Sequence, residues 1–127
     1  TIDVNVLDFD SEKTTLFKDK LLSFMKSEKP YLDSKLTIHQ LAKQLDTNSK
    51  YLSKILNTEF EKNFVSFINH YRIEAAKLFL LDEEYRLFTI EAIAEKSGFN
   101  SKSAFNTAFK KITQKTPSQF KKDYTSS

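Results

Sequence analysis

Residues 89–109 read TIEAIAEKSGFNSKSAFNTAF, and residues 37–56 repeat the same pattern as TIHQLAKQLDTNSKYLSKIL. A shift of 52 residues aligns Thr37-Ile38 with Thr89-Ile90, Leu41-Ala42 with Ile93-Ala94, Asp46 with Gly98, Asn48-Ser49 with Asn100-Ser101, and Lys50 with Lys102. Beyond that point the second copy is one residue longer, so Leu52 aligns with Phe105 and Leu56 with Phe109. Each copy therefore predicts a helix of about nine residues, a tight turn and a second helix of about twelve residues.

The predicted turns have the features that a helix-turn-helix requires. Two short helices that cross steeply need a small residue at their contact, and Ala42 and Ala94 occupy those positions. The turn needs a positive φ, which Gly adopts freely and Asp tolerates; Gly98 is the only glycine, and Asp46 is its counterpart. A helical repeat that binds protein is the alternative, but such arrays usually need three or more repeats. The pattern favours two helix-turn-helix units in tandem.

The rest of the chain is also predicted to be helical, which gives an all-α fold. One Gly and two Pro in 127 residues argue against a sheet protein, which needs turn glycines at most corners. Apolar spacing and capping residues predict further helices over residues 11–26, 64–81 and 117–124. The first ten residues alternate between apolar and polar side chains, a pattern typical of a short strand or an extended linker.

Composition excludes several classes of protein. The absence of Cys excludes disulfides, thiol catalysis and thiolate zinc sites, and no apolar run approaches the roughly 20 residues that span a bilayer. His39 and His70 lie on separate predicted helices, so we predict no metal site. There is no glycine-rich phosphate loop, nucleophile elbow or metal-ligand spacing, so neither an enzyme nor a cofactor is predicted.

The charge of the chain is unevenly distributed. Residues 1–34 hold five Lys against seven acidic residues, residues 35–99 hold nine charges of each sign, and residues 100–127 hold six Lys against one Asp. A basic end on a nearly neutral body favours an anionic partner such as nucleic acid. The alternative is an ordinary solvated tail rich in lysine.

Beyond these patterns, the chain resembles the DNA-binding domain of AraC-type transcription regulators. The matching residues of the first half are Leu36-Thr37-Ile38, Leu41-Ala42, Tyr51-Leu52-Ser53 and Tyr71-Arg72-Ile73-Glu74-Ala75-Ala76-Lys77. Those of the second half are Ile90, Ile93-Ala94, Gly98-Phe99-Asn100-Ser101, Phe105, Phe109-Lys110-Lys111 and Thr116-Pro117-Ser118-Gln119-Phe120. The resemblance covers roughly two-thirds of the chain.

The resemblance implies seven helices and sequence-specific binding of promoter DNA. It places the first helix-turn-helix at about residues 37–60, a linker helix at 64–81, the second unit at about 89–113 and a final helix at 117–124. Two departures concern the first unit. Asp46 replaces the usual turn glycine, and Glu59 and Glu61 replace basic or glycine residues after the recognition helix. We therefore expect the first unit to bind DNA less strongly than the second.

The face opposite the buried side of each second helix supplies the candidate base contacts. They are Lys50, Ser53, Lys54 and Asn57 in the first unit, and Lys102, Ser103, Asn106 and Thr107 in the second. Lysine donates to guanine, Asn pairs with adenine, and the methyl group of Thr can meet thymine. For any one of these lysines, a solvated surface role is the alternative.

Helix N-termini and nearby cations supply the candidate phosphate contacts. They are Thr37, Ser49, Thr89, Asn100, Ser101, Lys110, Lys111 and Lys115, and the hydroxyls could instead be only helix caps. Arg72 could reach phosphate or pair with a carboxylate such as Glu74 or Glu91; a structural role is favoured. A linker helix of 18 residues is about 27 Å long, against roughly 34 Å between successive major grooves. This difference predicts bent DNA or one loosely bound unit.

The chain begins at Thr1 rather than Met, so we expect a segment of a longer regulator, with residues 1–10 leading to a sensor region. The expected partners are double-stranded promoter DNA, RNA polymerase and that sensor region, and dimerisation through other regions stays open. We expect a cytoplasmic domain whose parent protein could be membrane-anchored. A protein-interaction module of the same fold, with weak or no DNA binding, is the alternative function.

Overall fold

The computed structural model describes the backbone of residues 4–125 and the side chains of residues 11–124. Within that range it has seven α-helices and no strand, as the sequence predicts. The helices are α1 (Val4–Glu28), α2 (Ile38–Gln44), α3 (Ser49–Glu59), α4 (Phe64–Leu81), α5 (Ile90–Lys96), α6 (Lys102–Thr113) and α7 (Pro117–Thr125). They form two compact units: α1 to α3 build the first, and the segment Tyr31–Leu36 with α4 to α7 builds the second.

Helix α1 is longer than the sequence pattern indicates. It begins at Val4, so the expectation of a strand or an extended linker is wrong for residues 4–10. No Pro or Gly interrupts residues 4–28, and adding a residue to an existing helix gains a hydrogen bond without a new nucleus. Helix continuity therefore outweighs the local alternation of apolar and polar residues. Whether these residues lead to a sensor region stays a prediction.

The first unit buries one apolar face from each of its helices. The buried side chains are Leu21 and Met25 of α1, Leu41 and Ala42 of α2 with Leu45 after it, and Leu52, Ile55 and Leu56 of α3. The ring of Phe17 in α1 meets that of Tyr51 in α3 edge-on, with centroids 5.1 Å apart. Helix α1 is therefore part of this unit and orients α3.

The second unit has a core rich in phenylalanine. Rings follow one another from Phe99 to Phe105, Phe109 and Phe120, with centroids 5.2, 5.6 and 5.5 Å apart. Such pairs contribute about 0.5–1.5 kcal/mol each beyond their buried area. Helix α4 adds Ile73, Ala76 and Leu80 to the same core. Helix α4, expected from sequence to link the units, thus packs as part of the second one.

Arg72 of α4 holds the segment Tyr31–Leu36 in the second unit. Its Nε donates to the Tyr31 carbonyl oxygen at 2.7 Å, and its Nη2 donates to the Asp33 carbonyl oxygen at 2.9 Å. Burial lowers the pKa of Arg72 below its usual value, and the charge of Asp33 offsets part of this effect. Its role is structural, as favoured from the sequence, but the partners are backbone carbonyls rather than Glu74 or Glu91. Glu74 pairs with Lys77, with 3.1 Å between Oε1 and Nζ.

Candidate nucleic-acid interface

The two repeats fold into equivalent turns. In the first, the Thr47 amide donates to the Ala42 carbonyl at 2.9 Å; in the second, the Phe99 amide donates to the Ala94 carbonyl at 3.0 Å. Asp46 and Gly98 stand at the same place in these turns, with φ of 58° and 98°. Both residues therefore lie in the left-handed region where the sequence predicts them.

Asp46 has a side-chain partner on α1. Lys20 Nζ donates to the Leu45 carbonyl oxygen at 2.9 Å and lies 3.7 Å from Asp46 Oδ2. A lysine near the C-terminal end of a helix interacts favourably with the carbonyls exposed there. The Lys20 ammonium thus binds the end of α2 and the first residue of the turn that follows.

The N-caps define how the second helices of the two units correspond. Asn48 Oδ1 accepts from the Tyr51 amide at 2.8 Å, and Ser101 Oγ accepts from the Ala104 amide at 3.1 Å. Asn48 therefore corresponds to Ser101, and the extra residue of the second copy lies before α6. The sequence alignments of Asn48-Ser49 with Asn100-Ser101 and of Lys50 with Lys102 are therefore wrong by one residue. The insertion lengthens the turn and not the helix.

With this correction, α3 and α6 present equivalent faces opposite their buried sides. The corresponding pairs are Lys50 with Ser103, Ser53 with Asn106, Lys54 with Thr107, and Asn57 with Lys110. Ser53 and Asn106 are half-buried and the other six are exposed. Lys102, also exposed, corresponds to Ser49 and lies beside this face. The candidate base contacts of each unit are thus brought together on its own second helix.

Several candidate phosphate contacts cap helices. Thr37 forms a capping box with Gln40, and Thr89 and Ser101 are the N-caps of α5 and α6. In each case the hydroxyl oxygen accepts a backbone N–H, at 3.2, 3.0 and 3.1 Å. A hydroxyl that accepts in this way keeps its own hydrogen for donation to another acceptor. Capping and phosphate binding are therefore compatible.

The remaining candidates differ in their surroundings. Ser49 is the half-buried first residue of α3, and Asn100 is exposed in the second turn. Lys110 and Lys111 are exposed in the last turn of α6. Lys115 forms an ion pair with Asp123, with 2.6 Å between Nζ and Oδ2, and this hydrogen bond raises the pKa of Lys115.

One of the two acidic residues at the end of α3 has a nearby cation, which the sequence did not indicate. Lys18 Nζ of α1 lies 3.5 Å from Glu59 Oε1, so a cation of the same unit offsets this carboxylate. Glu61 follows with a φ of 54° and stays exposed. Of the two carboxylates expected to weaken DNA binding by the first unit, Glu59 is therefore offset by a cation of the same unit.

Neither a metal centre nor a membrane helix emerges from the described part of the chain. His39 and His70 are exposed, and no three potential ligands of the His, Asp and Glu type gather in one place there. None of the described helices combines the length and the apolar character needed to cross a bilayer.

The profile of the helix-turn-helix domain family matches residues 41–123, which include both turns and both second helices. The chain belongs to this family. Membership makes this helix-turn-helix domain a DNA-binding domain of a transcription regulator, and confirms the prediction of a regulator rather than an enzyme.

Two similar proteins carry the same type of domain. A helix-turn-helix type transcriptional regulator of Staphylococcus aureus strain MSSA476 is 30% identical over 115 residues, which cover 91% of this chain and 15% of that protein. The C-terminal domain of the two-component response regulator yesN from Fusobacterium nucleatum is 34% identical, with a TM-score of 0.66. The likeness covers 87% of this chain and 98% of that domain.

More distant structures share the fold. An AraC-type transcriptional regulator from Chromobacterium violaceum has a TM-score of 0.70 at 14% identity, covering 87% of this chain and 93% of that chain. The DNA-binding domain of AdpA, solved with a target DNA, has a TM-score of 0.69 at 13% identity, covering 85% and 91%. The AraC-type fold implied by the sequence resemblance is thereby confirmed.

Sequence reasoning favoured a structural role for Arg72 but missed its partners, and it did not single out Lys20. Lys20 reaches a carbonyl 25 residues along the chain, and Arg72 reaches carbonyls 41 and 39 residues away. Helical periodicity relates residues three or four apart, so it carries no signal for such pairs.

Proposed function

We propose that this domain reads promoter DNA by placing α3 and α6 in successive major grooves. The observation that supports this proposal is the equivalence of the two units. Each unit has the same backbone hydrogen bond in its turn and a polar N-cap residue at its second helix, and the two second helices present equivalent faces. Such a helix fits the major groove, with its outer face against base edges. Since the two faces carry different side chains, the preferred site of one chain is asymmetric.

The proposed base contacts differ in chemistry between the units. Lys50 and Lys54 of α3 donate to guanine, with Ser53 and Asn57 beside them. Residues Ser103, Asn106 and Thr107 of α6 suit adenine and thymine, with Lys102 at the edge of the face. The first unit is therefore expected to prefer G·C pairs and the second A·T pairs.

The proposed phosphate contacts surround these faces. They are the capping hydroxyls of Thr37, Thr89 and Ser101, the polar residues Ser49 and Asn100, and the cations Lys110, Lys111 and Lys115. Phosphate contacts fix the position of a protein on DNA without reading sequence. Lys115 is expected to contribute least, because Asp123 already neutralises it.

Selection of the 127-residue chain on a random double-stranded DNA library tests this function. We expect enrichment of an asymmetric motif with two blocks about one helical turn apart. Lys54→Ala should relax one block and Asn106→Ala the other, each by about 1–3 kcal/mol at the affected base pair. Lys26→Ala, on an exposed lysine of α1, is the matched control and should leave the motif unchanged.

The selection also separates the alternatives. Binding that depends on salt but enriches no motif would mean phosphate attraction alone. Failure of the folded chain to bind any DNA would instead favour a protein-interaction module. A motif of only one block would show that one unit reads bases and the other does not.

The chain spans 15% of the length of the Staphylococcus aureus relative, so its wider partners are proposals. We propose that this domain is the output segment of a longer regulator that contains a sensor region, and that RNA polymerase is a further partner. Promoter DNA lies in the bacterial cytoplasm, which is therefore the proposed location of this segment.

A further inference from the structure

Helix α1 is held against the second helix of the first unit, although it precedes the family match at residues 41–123. Phe17 packs edge-on against Tyr51 of α3, and Lys18 pairs with Glu59 at the other end of α3. Lys20 binds the Leu45 carbonyl just before the turn. These contacts fix the orientation of α1 relative to α3, the helix proposed to enter a major groove of DNA.

A polar groove of about 440 Å³ lies between α1 and α3. Lys13 and Thr14 of α1 line one side, and Lys54 and Thr58 of α3 line the other. Lys13 Nζ lies 5.5 Å from the ring centroid of Tyr51. The ammonium therefore lies beside the flank of α3. Lys54, one turn of α3 further on, belongs to the exposed face proposed to read bases.

The groove is cationic in character. Its carboxylate, Glu59, is already paired with Lys18 at 3.5 Å. The Lys20 ammonium of α1 already binds the Leu45 carbonyl and the Asp46 carboxylate, so it is not counted among the cations of this groove. Among the side chains described for residues 11–124, no carboxylate lies within ion-pair distance of Lys13. Lys13 and Lys54 therefore leave a net positive charge between the two helices.

A helix in the major groove lies between the two sugar-phosphate backbones that form the groove walls. Residues at the centre of its outer face meet base edges, whereas cations on its flank meet phosphates. Lys13 stands on that flank, next to Tyr51, and Thr14 adds a hydroxyl donor beside it.

We propose that α1 is part of the DNA interface, with Lys13 binding a backbone phosphate beside the base pairs read by α3. This assignment rests on the proposed function. The ligand is the polyanionic backbone, so the contact adds affinity without changing which bases are preferred. It also extends the interface of the first unit beyond its two helix-turn-helix helices.

Binding of the full chain to its selected DNA over a salt series tests the assignment. Lys13→Gln should weaken binding three- to tenfold at low salt, equally for selected and unrelated sequences. It should also reduce the slope of log affinity against log salt by about 0.9, the value for one phosphate contact. Lys13→Arg keeps the charge and should restore both affinity and slope.

The matched control is Lys26→Gln, which removes one exposed charge from the last turn of the same helix. It lies 13 residues from Lys13, about 20 Å along the helix, and should leave the slope unchanged. Equal slopes for Lys13→Gln and Lys26→Gln would overturn the assignment, as would a change of preferred bases in Lys13→Gln. A loss of the Tyr51 contact alone would lower the melting temperature but not the slope. Failure of the unmodified chain to bind DNA would instead overturn the proposed function.

Discussion

At the scale of single residues, the two turns meet one backbone requirement in different ways. Gly98 has a φ of 98°, and a Cβ at this position would overlap the Tyr31 carbonyl oxygen and approach Arg72 Nε to 2.9 Å. Asp46 has a φ of 58°, which a short polar side chain tolerates, and its carboxylate reaches exposed solvent near Lys20. Gly98 is therefore required by space as well as by dihedral angle, whereas Asp46 satisfies a requirement of dihedral angle only.

Gly98→Ala is expected to lower the free energy of unfolding by at least about 2 kcal/mol, because dihedral strain and a backbone clash act together. Asp46→Gly is the matched variant in the other turn. Relief of strain and added chain entropy nearly cancel there, so a change within about 1 kcal/mol is expected. Urea denaturation followed by circular dichroism measures both. Equal losses in the two variants would contradict this account.

Arg72→Lys should also destabilise the fold, by about 1.5–3 kcal/mol. The planar guanidinium donates to two carbonyls at once, and a single ammonium cannot reproduce that geometry. Thermal denaturation of Arg72→Lys against Lys77→Arg, a conservative change on the same helix, provides the comparison. A change no larger than that of the control would argue against the structural role of Arg72.

The raised pKa values of two tyrosines lead us to expect that the folded state loses stability at alkaline pH. Burial raises the pKa of Tyr31 and of Tyr71 above 10.0, and proximity of Tyr31 raises that of Tyr71 further. A pKa raised in the folded state gives stability that is full below pH 10 and is lost as the pH rises through the folded value. Unfolding followed between pH 8 and 11.5 should show this decline, and Tyr71→Phe should make it shallower. An unchanged slope in that variant would contradict the assignment to Tyr71.

At the scale of secondary structure elements, the start of each second helix determines which residues face outward. The second turn is one residue longer, so α6 begins after Ser101 and Ser103 takes the place that Lys50 has in α3. A cap stabilises its helix by satisfying a backbone N–H, whereas a residue on the outer face contributes to binding. Ser101, the cap just before α6, and Ser103, within α6, are therefore expected to have different roles.

Ser101→Ala is expected to lower the free energy of unfolding by about 1 kcal/mol through loss of the cap. Ser103→Ala, two residues further on and exposed, should change it by less than about 0.5 kcal/mol but alter the base preference of the second block. Denaturant titration and DNA selection measure the two effects separately. A larger loss of stability in Ser103→Ala than in Ser101→Ala would contradict the assignment of Ser101 as the cap.

At the scale of the whole molecule, positive charge is concentrated near the C-terminal end of the chain. The net charge is only +3, but residues 100–127 hold six lysines and one aspartate. Of those lysines, Lys110 and Lys111 are exposed at the end of α6, while Lys115 is paired with Asp123. Lysines of one segment therefore differ in what they can offer to phosphate.

Replacing Lys110 and Lys111 together by Gln should reduce the slope of log affinity against log salt by about 1.8, two phosphate contacts at about 0.9 each. Lys115→Gln should reduce it by less than 0.9, because Asp123 competes for the ammonium. Fluorescence anisotropy with the selected DNA over a salt series provides the slopes. A full reduction in Lys115→Gln would show that DNA displaces Asp123.

The sequence by itself determined the helical class, the two turns and the helix-turn-helix family, because each depends on residues close together in the chain. Spacings of three and four, a glycine at a positive φ and a capping box all act within one or two helical turns. They also indicated which residues of α3 and α6 face outward. Local patterns failed at residues 4–10 and at the start of α6, where helix continuity and turn length decided.

The tertiary structure alone decided which side chains support that face from a distance. Arg72 with Tyr31, Lys20 with Leu45, and Lys18 with Glu59 join residues 25 to 41 positions apart. No periodicity relates residues so far apart, since their contact depends on how whole helices pack. The position of Lys13 beside α3 is also decided by the tertiary structure. Its neighbours on α3 depend on how α1 packs and not on the residues next to it in the sequence.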